Sequence, residues 1–282
     1  MPRCAQDRRR HRVRHRRHQV RCRHPAGPVL QGLPAPVRSP TVKTSATVRA
    51  LSREFKAQAD PEYRKSVQRF FKEPVKLYGV RTPVFREIVR CHWQKVRDLP
   101  KHEILGLCEE LLALGNGEER GAAFEWALRM RRQLAPADFY RLERWLKRHV
   151  SNWAACDSLC CGVLGFFLLD HPGFLSRLRA WARARNRWLR RAAAVAHIVS
   201  IRRGRALPQA CAVAGILLED PDDMVQKGYG WMLKEMANSR PREVFDFVMK
   251  RRARMPRTAL RYAIEKMPRS WKRRAMAKPR EA

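Results

Sequence analysis

From about Thr47 onward the chain is one helical segment after another, and this succession limits its fold more than any other feature. The stretches "TPVFREIVRCHWQKV", "HEILGLCEELLAL", "PADFYRLERWLKRHV", "NWAACDSLCCGVLGFFLL", "NRWLRRAAAVAHIV" and "DDMVQKGYGWMLKEMAN" all carry apolar residues at helical spacing. Short breaks with Pro, Gly, Asp or Asn separate many of them, and convincing strand alternation is absent. Thr82 reads as an N-cap, with Pro83 at the first helical position. Helices of roughly 12 to 18 residues joined by short loops predict an all-α fold, an α-solenoid of stacked antiparallel helix pairs. No residue recurs at a fixed period, so the repeats are degenerate.

Charge says more about the partner than about the fold. Lys and Arg number 61 against 26 Asp and Glu, a formal net charge of +35. Self-repulsion of that size is best relieved by a polyanion, which makes nucleic acid the leading partner. An anionic membrane surface is the alternative, but no apolar run approaches the roughly 20 residues that a span needs. Part of the excess sits in residues 1–45, where "RRRHRVRHRRHQVRCRH" precedes the Pro/Gly-rich "PAGPVLQGLPAPVRSP". Neither stretch offers enough apolar surface to offset ordering entropy, so residues 1–45 are expected to be a disordered basic extension. A transit peptide and a nucleic-acid-binding arm are weighed against a misplaced start, with the true start near Val42 or Val48; the last is favoured. Residues 46–282 form the helical domain. The eight cysteines are scattered without a C-x-x-C pair, as expected of reduced, mostly buried thiols in a cytosolic protein. Cys156 and Cys160 lie one turn apart but lack a second ligand pair, and the histidines of the extension read as compositional, so no metal site is expected.

Three helices carry candidate chemistry. In "NWAACDSLC", Trp153 and Asp157 are four residues apart and share a face that continues through Cys160, Cys161, Leu164 and Leu168. Taken alone, Asp157 reads first as a structural acid, favoured by the helix dipole or paired to an arginine. In "NRWLRRAAAV", Trp188, Ala192, Val195 and Val199 form the core stripe. Arg191 lies at the stripe's edge, as a phosphate contact, a partner to Asp157 or a solvated arginine, while Arg190 points away. In "DDMVQKGYGWMLKEMAN" the core stripe is Val225, Gly228, Tyr229, Met232 and Met236, which leaves Trp231 outside it between Lys227 and Lys234. Trp126, Trp145, Trp181 and Trp188 read as packing.

Two indoles, one carboxylate and several cations make a recognisable constellation. With "LYGVRTPVFREI", "NWAACDSLC", "NRWLRRAAAV" and "MVQKGYGWMLKEMA" in order, the chain from about Thr47 to about Met276 resembles the AlkD-type alkylpurine DNA glycosylases built from HEAT-like repeats. The resemblance implies a HEAT-like solenoid with a concave basic groove for duplex DNA bearing alkylated bases. It implies catalytic roles for Asp157, Trp153 and Trp231, and DNA contacts from Arg191, Lys227 and, in an N-terminal context, Arg86. Phe70 falls loosely where family members carry an aromatic. The Arg-rich amino terminus has no counterpart in the family.

The chemistry agrees with this. A purine alkylated at N3 or N7 is cationic and already a good leaving group, so one carboxylate can serve where ordinary glycosidases use two. Asp157 would stabilise an oxocarbenium-like transition state and hold the attacking water, with the indole faces against the developing charge. Most base-processing enzymes extrude their target; the resemblance implies that the lesion stays in the duplex. No cofactor or metal is expected, and a cytoplasmic, nucleoid-associated monomer is. The alternative is a non-catalytic helical-repeat scaffold that binds nucleic acid or protein, which need not retain Asp157 together with both indoles.

Overall fold

A computed structural model describes residues 44–277, all within the compact unit Val42–Ala282. The expectations for residues 1–43, including the proposed start at Val42, Cys4, Cys22 and the amino-terminal histidines, lie outside the described residues. Among those described there are helices and no strand. In chain order the α-helices are α1 (Ala46–Ala57), α2 (Pro61–Gln68), α3 (Thr82–Val96), α4 (Lys101–Ala113), α5 (Gly117–Arg129), α6 (Asp138–His149), α7 (Trp153–Cys161) and α8 (Val163–Asp170). They continue with α9 (Leu178–Trp181), α10 (Arg187–Val195), α11 (Ile198–Ile201), α12 (Leu207–Ile216), α13 (Asp223–Ala237), α14 (Pro241–Arg251), α15 (Arg257–Ala263) and α16 (Arg269–Met276).

The packing is a row of helices backed by a second layer. Helices α3, α5, α7, α10, α13 and α15 each pack against the next, while α4, α6, α8, α9, α12 and α14 pack against that row. This is the expected α-solenoid of helix pairs. Large aromatics hold the layers together: Trp126 and Trp145 are fully buried, and Trp181 and Trp188 nearly so. Each such side chain buries about 150–250 Å², worth roughly 4–6 kcal/mol at about 25 cal/mol per Å². Side-chain caps start the helices that matter for the site. Asn152 accepts from the Ala155 N–H at 2.9 Å to start α7, and Asp222 accepts from Met224 and Val225 to start α13.

Four local expectations shift. Helix α3 begins at Thr82 itself, so Arg81 is the N-cap, without a side-chain capping bond, and Pro83 sits one place further in. A proline is tolerated there because its missing N–H would lack an intrahelical partner anyway. The long segment from Trp153 is not one helix: it breaks at Gly162, whose φ of −94° and ψ of −127° leave the helical region. A Cβ there would sit 2.4 Å from the Ser158 carbonyl oxygen, so only glycine fits. The break redirects Leu164 and Leu168 into the core and leaves Trp153 and Asp157 on the row. It also bears on membrane crossing. Trp153–Asp170 is apolar enough by composition for a span, with a mean hydropathy of 1.5 over 18 residues, contrary to expectation, but half of it is buried within the fold. The segment from Arg187 breaks too, between α10 and α11, at Ala196 and His197.

Candidate active site

Successive helices of the row bring the predicted residues to one pocket. Its volume is about 340 Å³, and Trp153 and Asp157 from α7, Arg191 from α10, Lys227 and Trp231 from α13, Tyr262 from α15 and Phe70 all line it. Arg86 is exposed on α3 and does not line this pocket.

Asp157 is held from one side. Arg191 Nε donates to its Oδ1 at 2.9 Å and Nη2 to its Oδ2 at 2.7 Å, a bidentate pair. The arginine is the more buried partner, with 6% of its side chain exposed against 18% for the acid. Its Nη1 donates to the Met224 carbonyl at 2.5 Å. Of the three readings of Arg191, the solvated arginine is thus excluded. The guanidinium is turned onto Asp157, leaving little of its surface for a phosphate. Gly228 makes room for it, since a Cβ there would sit 3.1 Å from Arg191 Cγ. Burial pushes the Asp157 carboxyl up from its ordinary value, while the bond and charge of Arg191 oppose that. A charged N–H donor on each oxygen favours the ionised form and leaves each oxygen further lone pairs.

The indoles are fixed by their edges. Trp153 Nε1 donates to the Phe70 carbonyl at 3.2 Å, and its ring stacks on Phe71 with centroids 5.3 Å apart. Trp231 Nε1 donates to Glu235 Oε1 at 2.9 Å, and Glu235 is itself held by Arg202 Nε at 3.0 Å. With both N–H groups engaged, what the rings can offer a substrate is their electron-rich faces. Lys227 Nζ lies 3.3 Å from Asp223, and Lys234 lies 5.6 Å from the Tyr262 ring centroid.

The segment after α2 acts as a strap over this arrangement. Lys72 bonds Asp223 at 2.8 Å and Glu73 approaches Arg187 at 3.3 Å, which ties the strap to α13 and α10. The sequence reading did not single out Phe71, Lys72 or Glu235. Glu235 carried a local signal, four residues after Trp231 on one helix face. The partners of Phe71 and Lys72 lie 82 and 151 residues away, beyond any local pattern.

Behind Asp157, Cys156 and Cys160 are fully buried. Burial, and the nearby Asp157 charge, push the Cys161 thiol up to about 12, and burial also raises Cys160. Raised in this way, the Cys160 and Cys161 thiols do not compete as nucleophiles.

No curated protein gives a significant match to this sequence. Among solved structures, the chain is similar to a predicted DNA alkylation repair enzyme from Enterococcus faecalis, with a TM-score of 0.66 and 17% identity. The match covers 75% of this chain and 98% of that one, and at such identity it speaks for the fold alone. The sequence itself matches the profile of the DNA alkylation repair enzymes over residues 51–267, and the chain belongs to that family.

Proposed function

We propose that this chain is a DNA glycosylase that hydrolyses the N-glycosidic bond of cationic N3- or N7-alkylated purines in duplex DNA. Family membership supports a DNA-repair role. The observation that carries the finer reading is the Asp157 carboxylate, which lines one pocket with two indoles whose N–H groups are already engaged.

In this reading the bond between deoxyribose C1′ and the purine nitrogen breaks first. The electron pair leaves with the base and cancels its positive charge, so no general acid is required. Positive charge develops on the sugar, where the Asp157 carboxylate and the faces of Trp153 and Trp231 stabilise it. Asp157 also holds a water whose oxygen adds to C1′, and the released proton passes to the carboxylate or to solvent. Arg191 positions Asp157 and keeps it ionised. Lys227 in the pocket lining, with 34% of its side chain exposed, suits a backbone phosphate, consistent with a lesion that stays in the duplex, whereas Lys234 is paired with Glu265 at 3.0 Å. The protein is read as working as a cytoplasmic, nucleoid-associated monomer.

The test is release of free base from methylated duplex DNA by the full chain, with chelator present. The reading expects free N7-methylguanine and N3-methyladenine, leaving abasic sites, well above spontaneous depurination. Tight DNA binding without base release would instead establish the scaffold alternative.

A further inference from the structure

The first turn of α5 carries two buried glutamates with different surroundings. Glu118 is fully used by backbone: its Oε1 accepts from Gly79 and Val80 at 2.9 and 3.1 Å, and its Oε2 from Tyr78 at 3.2 Å. Glu119, 0% exposed, accepts the Tyr78 hydroxyl on Oε1 at 2.9 Å, and its Oε2 is buried with no partner among the described residues. Ser52 of α1, 8% exposed, likewise has an unpartnered Oγ. Both side chains line one pocket of about 450 Å³ between α1 and the start of α5. A buried polar atom without a partner is costly, and two in one cavity point to an occupant that supplies the missing hydrogen bonds.

The rim of this pocket has the opposite character. Arg49, Arg53 and Lys56 recur at i, i+4 and i+7 along α1, and Lys76 joins them from the strap. Arg49 donates to the Thr44 carbonyl and Lys76 to that of Leu114, whereas Arg53 and Lys56 have no ion pair among the described residues. Apart from the strap itself, this pocket shares no element with the one at Asp157. Its volume falls in the range of about 300–1,000 Å³ typical of small-molecule sites.

A ligand that satisfies both parts carries negative charge for the rim and an N–H or O–H donor for the floor. Inorganic phosphate meets the rim but fills little of a pocket of about 450 Å³ and has only its own O–H for the floor, and an uncharged nucleoside meets only the floor. We propose that this pocket binds a phosphomonoester that also bears a hydrogen-bond donor, the nucleotide class, with phosphate on Arg53 and Lys56 and the donor on Glu119 and Ser52. Its source is a free mononucleotide or the 5′-phosphorylated end of a DNA strand. The assignment is independent of the glycosylase reading.

Calorimetric titration of the full chain with deoxyguanosine monophosphate, deoxyguanosine and inorganic phosphate tests this. The nucleotide should bind at least about tenfold more tightly than either fragment, and Arg53→Ala should weaken it by about tenfold or more. Glu119→Gln turns the unpartnered acceptor into a donor and should abolish the advantage of nucleotide over phosphate; Ser52→Ala should reduce it if the glutamine variant does not fold. Trp231→Ala should leave nucleotide affinity unchanged. Anisotropy with duplexes ending in 5′-phosphate or 5′-hydroxyl separates the sources. A preference for phosphate that Arg53→Ala removes assigns DNA ends, and no preference beside tight nucleotide binding assigns the free nucleotide. The proposal is overturned if the nucleotide binds no better than phosphate and ends are not distinguished, which would leave water as the occupant. Loss of nucleotide binding in Trp231→Ala but not in Arg53→Ala would overturn it equally.

Discussion

Two neighbouring arginines on α10 make two bidentate pairs, and the contrast between them separates a clamp from a site. Arg190 holds Asp220 at 2.6 and 3.4 Å, and there the acid is the more buried partner, 6% exposed against 18%. Asp220 also accepts the Asp222 N–H at 3.0 Å, and Arg190 donates to the Ala184 and Arg185 carbonyls. The acid of that pair is turned into the protein, and neither partner lines the pocket at Asp157. Arg191 and Asp157 reverse the order: the arginine is sunk and the acid stands at the pocket between two indoles. The same chemistry therefore serves two ends, and which partner faces outward decides between them.

The largest effect should come from breaking each pair. Arg191→Ala and Arg190→Ala each strand a largely buried acid, so each should cost about 3–5 kcal/mol in denaturant unfolding. Only Arg191→Ala should also change the pH dependence of excision. Without the arginine, burial acts on Asp157 unopposed and raises its pKa further, moving the acid limb of the rate profile to higher pH. The sign for stability follows from linkage. An acid whose folded pKa is raised stabilises most below its unfolded pKa, and that contribution is lost as pH rises through the folded value. Stability of Arg191→Ala should therefore fall more steeply with rising pH through the carboxylate range than that of the parent. An unmoved acid limb would place Asp157 outside the chemistry.

A smaller effect is expected at the strap. Phe71→Ala removes the stack that fixes the Trp153 ring, worth roughly 0.5–1.5 kcal/mol. Single-turnover excision should slow by about three- to tenfold, a loss that Phe71→Tyr restores. The smallest concerns Lys227. Lys227→Ala should weaken duplex binding equally across sequences and reduce the salt slope by about one, if its ammonium meets a phosphate. A sequence-dependent loss would argue for base contact instead.

The α13 stripe was readable from spacing alone: Val225, Tyr229, Met232 and Met236 are buried, and Trp231, outside the stripe, is half-buried against the edge of the core and lines the pocket with Lys227. Local periodicity dictates such faces because i, i+3 and i+4 share one side of a helix. The break at Gly162 was not readable, because the glycine sits within an apolar run and its backbone departure depends on how α7 and α8 pack. Arg191 looked like an edge residue by angle alone. Its burial comes from α7 and α13 closing over it, with Gly228 leaving the space. The strap was missed for a similar reason, since its bonds reach partners tens of residues or more away.

The acid at the pocket and the acid in the clamp provide the most direct test. Single-turnover excision of N7-methylguanine from duplex DNA should be measured for Asp157→Asn and Asp220→Asn, with thermal unfolding on the same preparations. The account predicts that Asp157→Asn stays folded, binds DNA and loses roughly 10²–10³ in rate. Asp220→Asn should unfold at lower temperature and, while folded, excise at the parent rate. Normal excision by folded Asp157→Asn would contradict the account and leave both pairs as clamps.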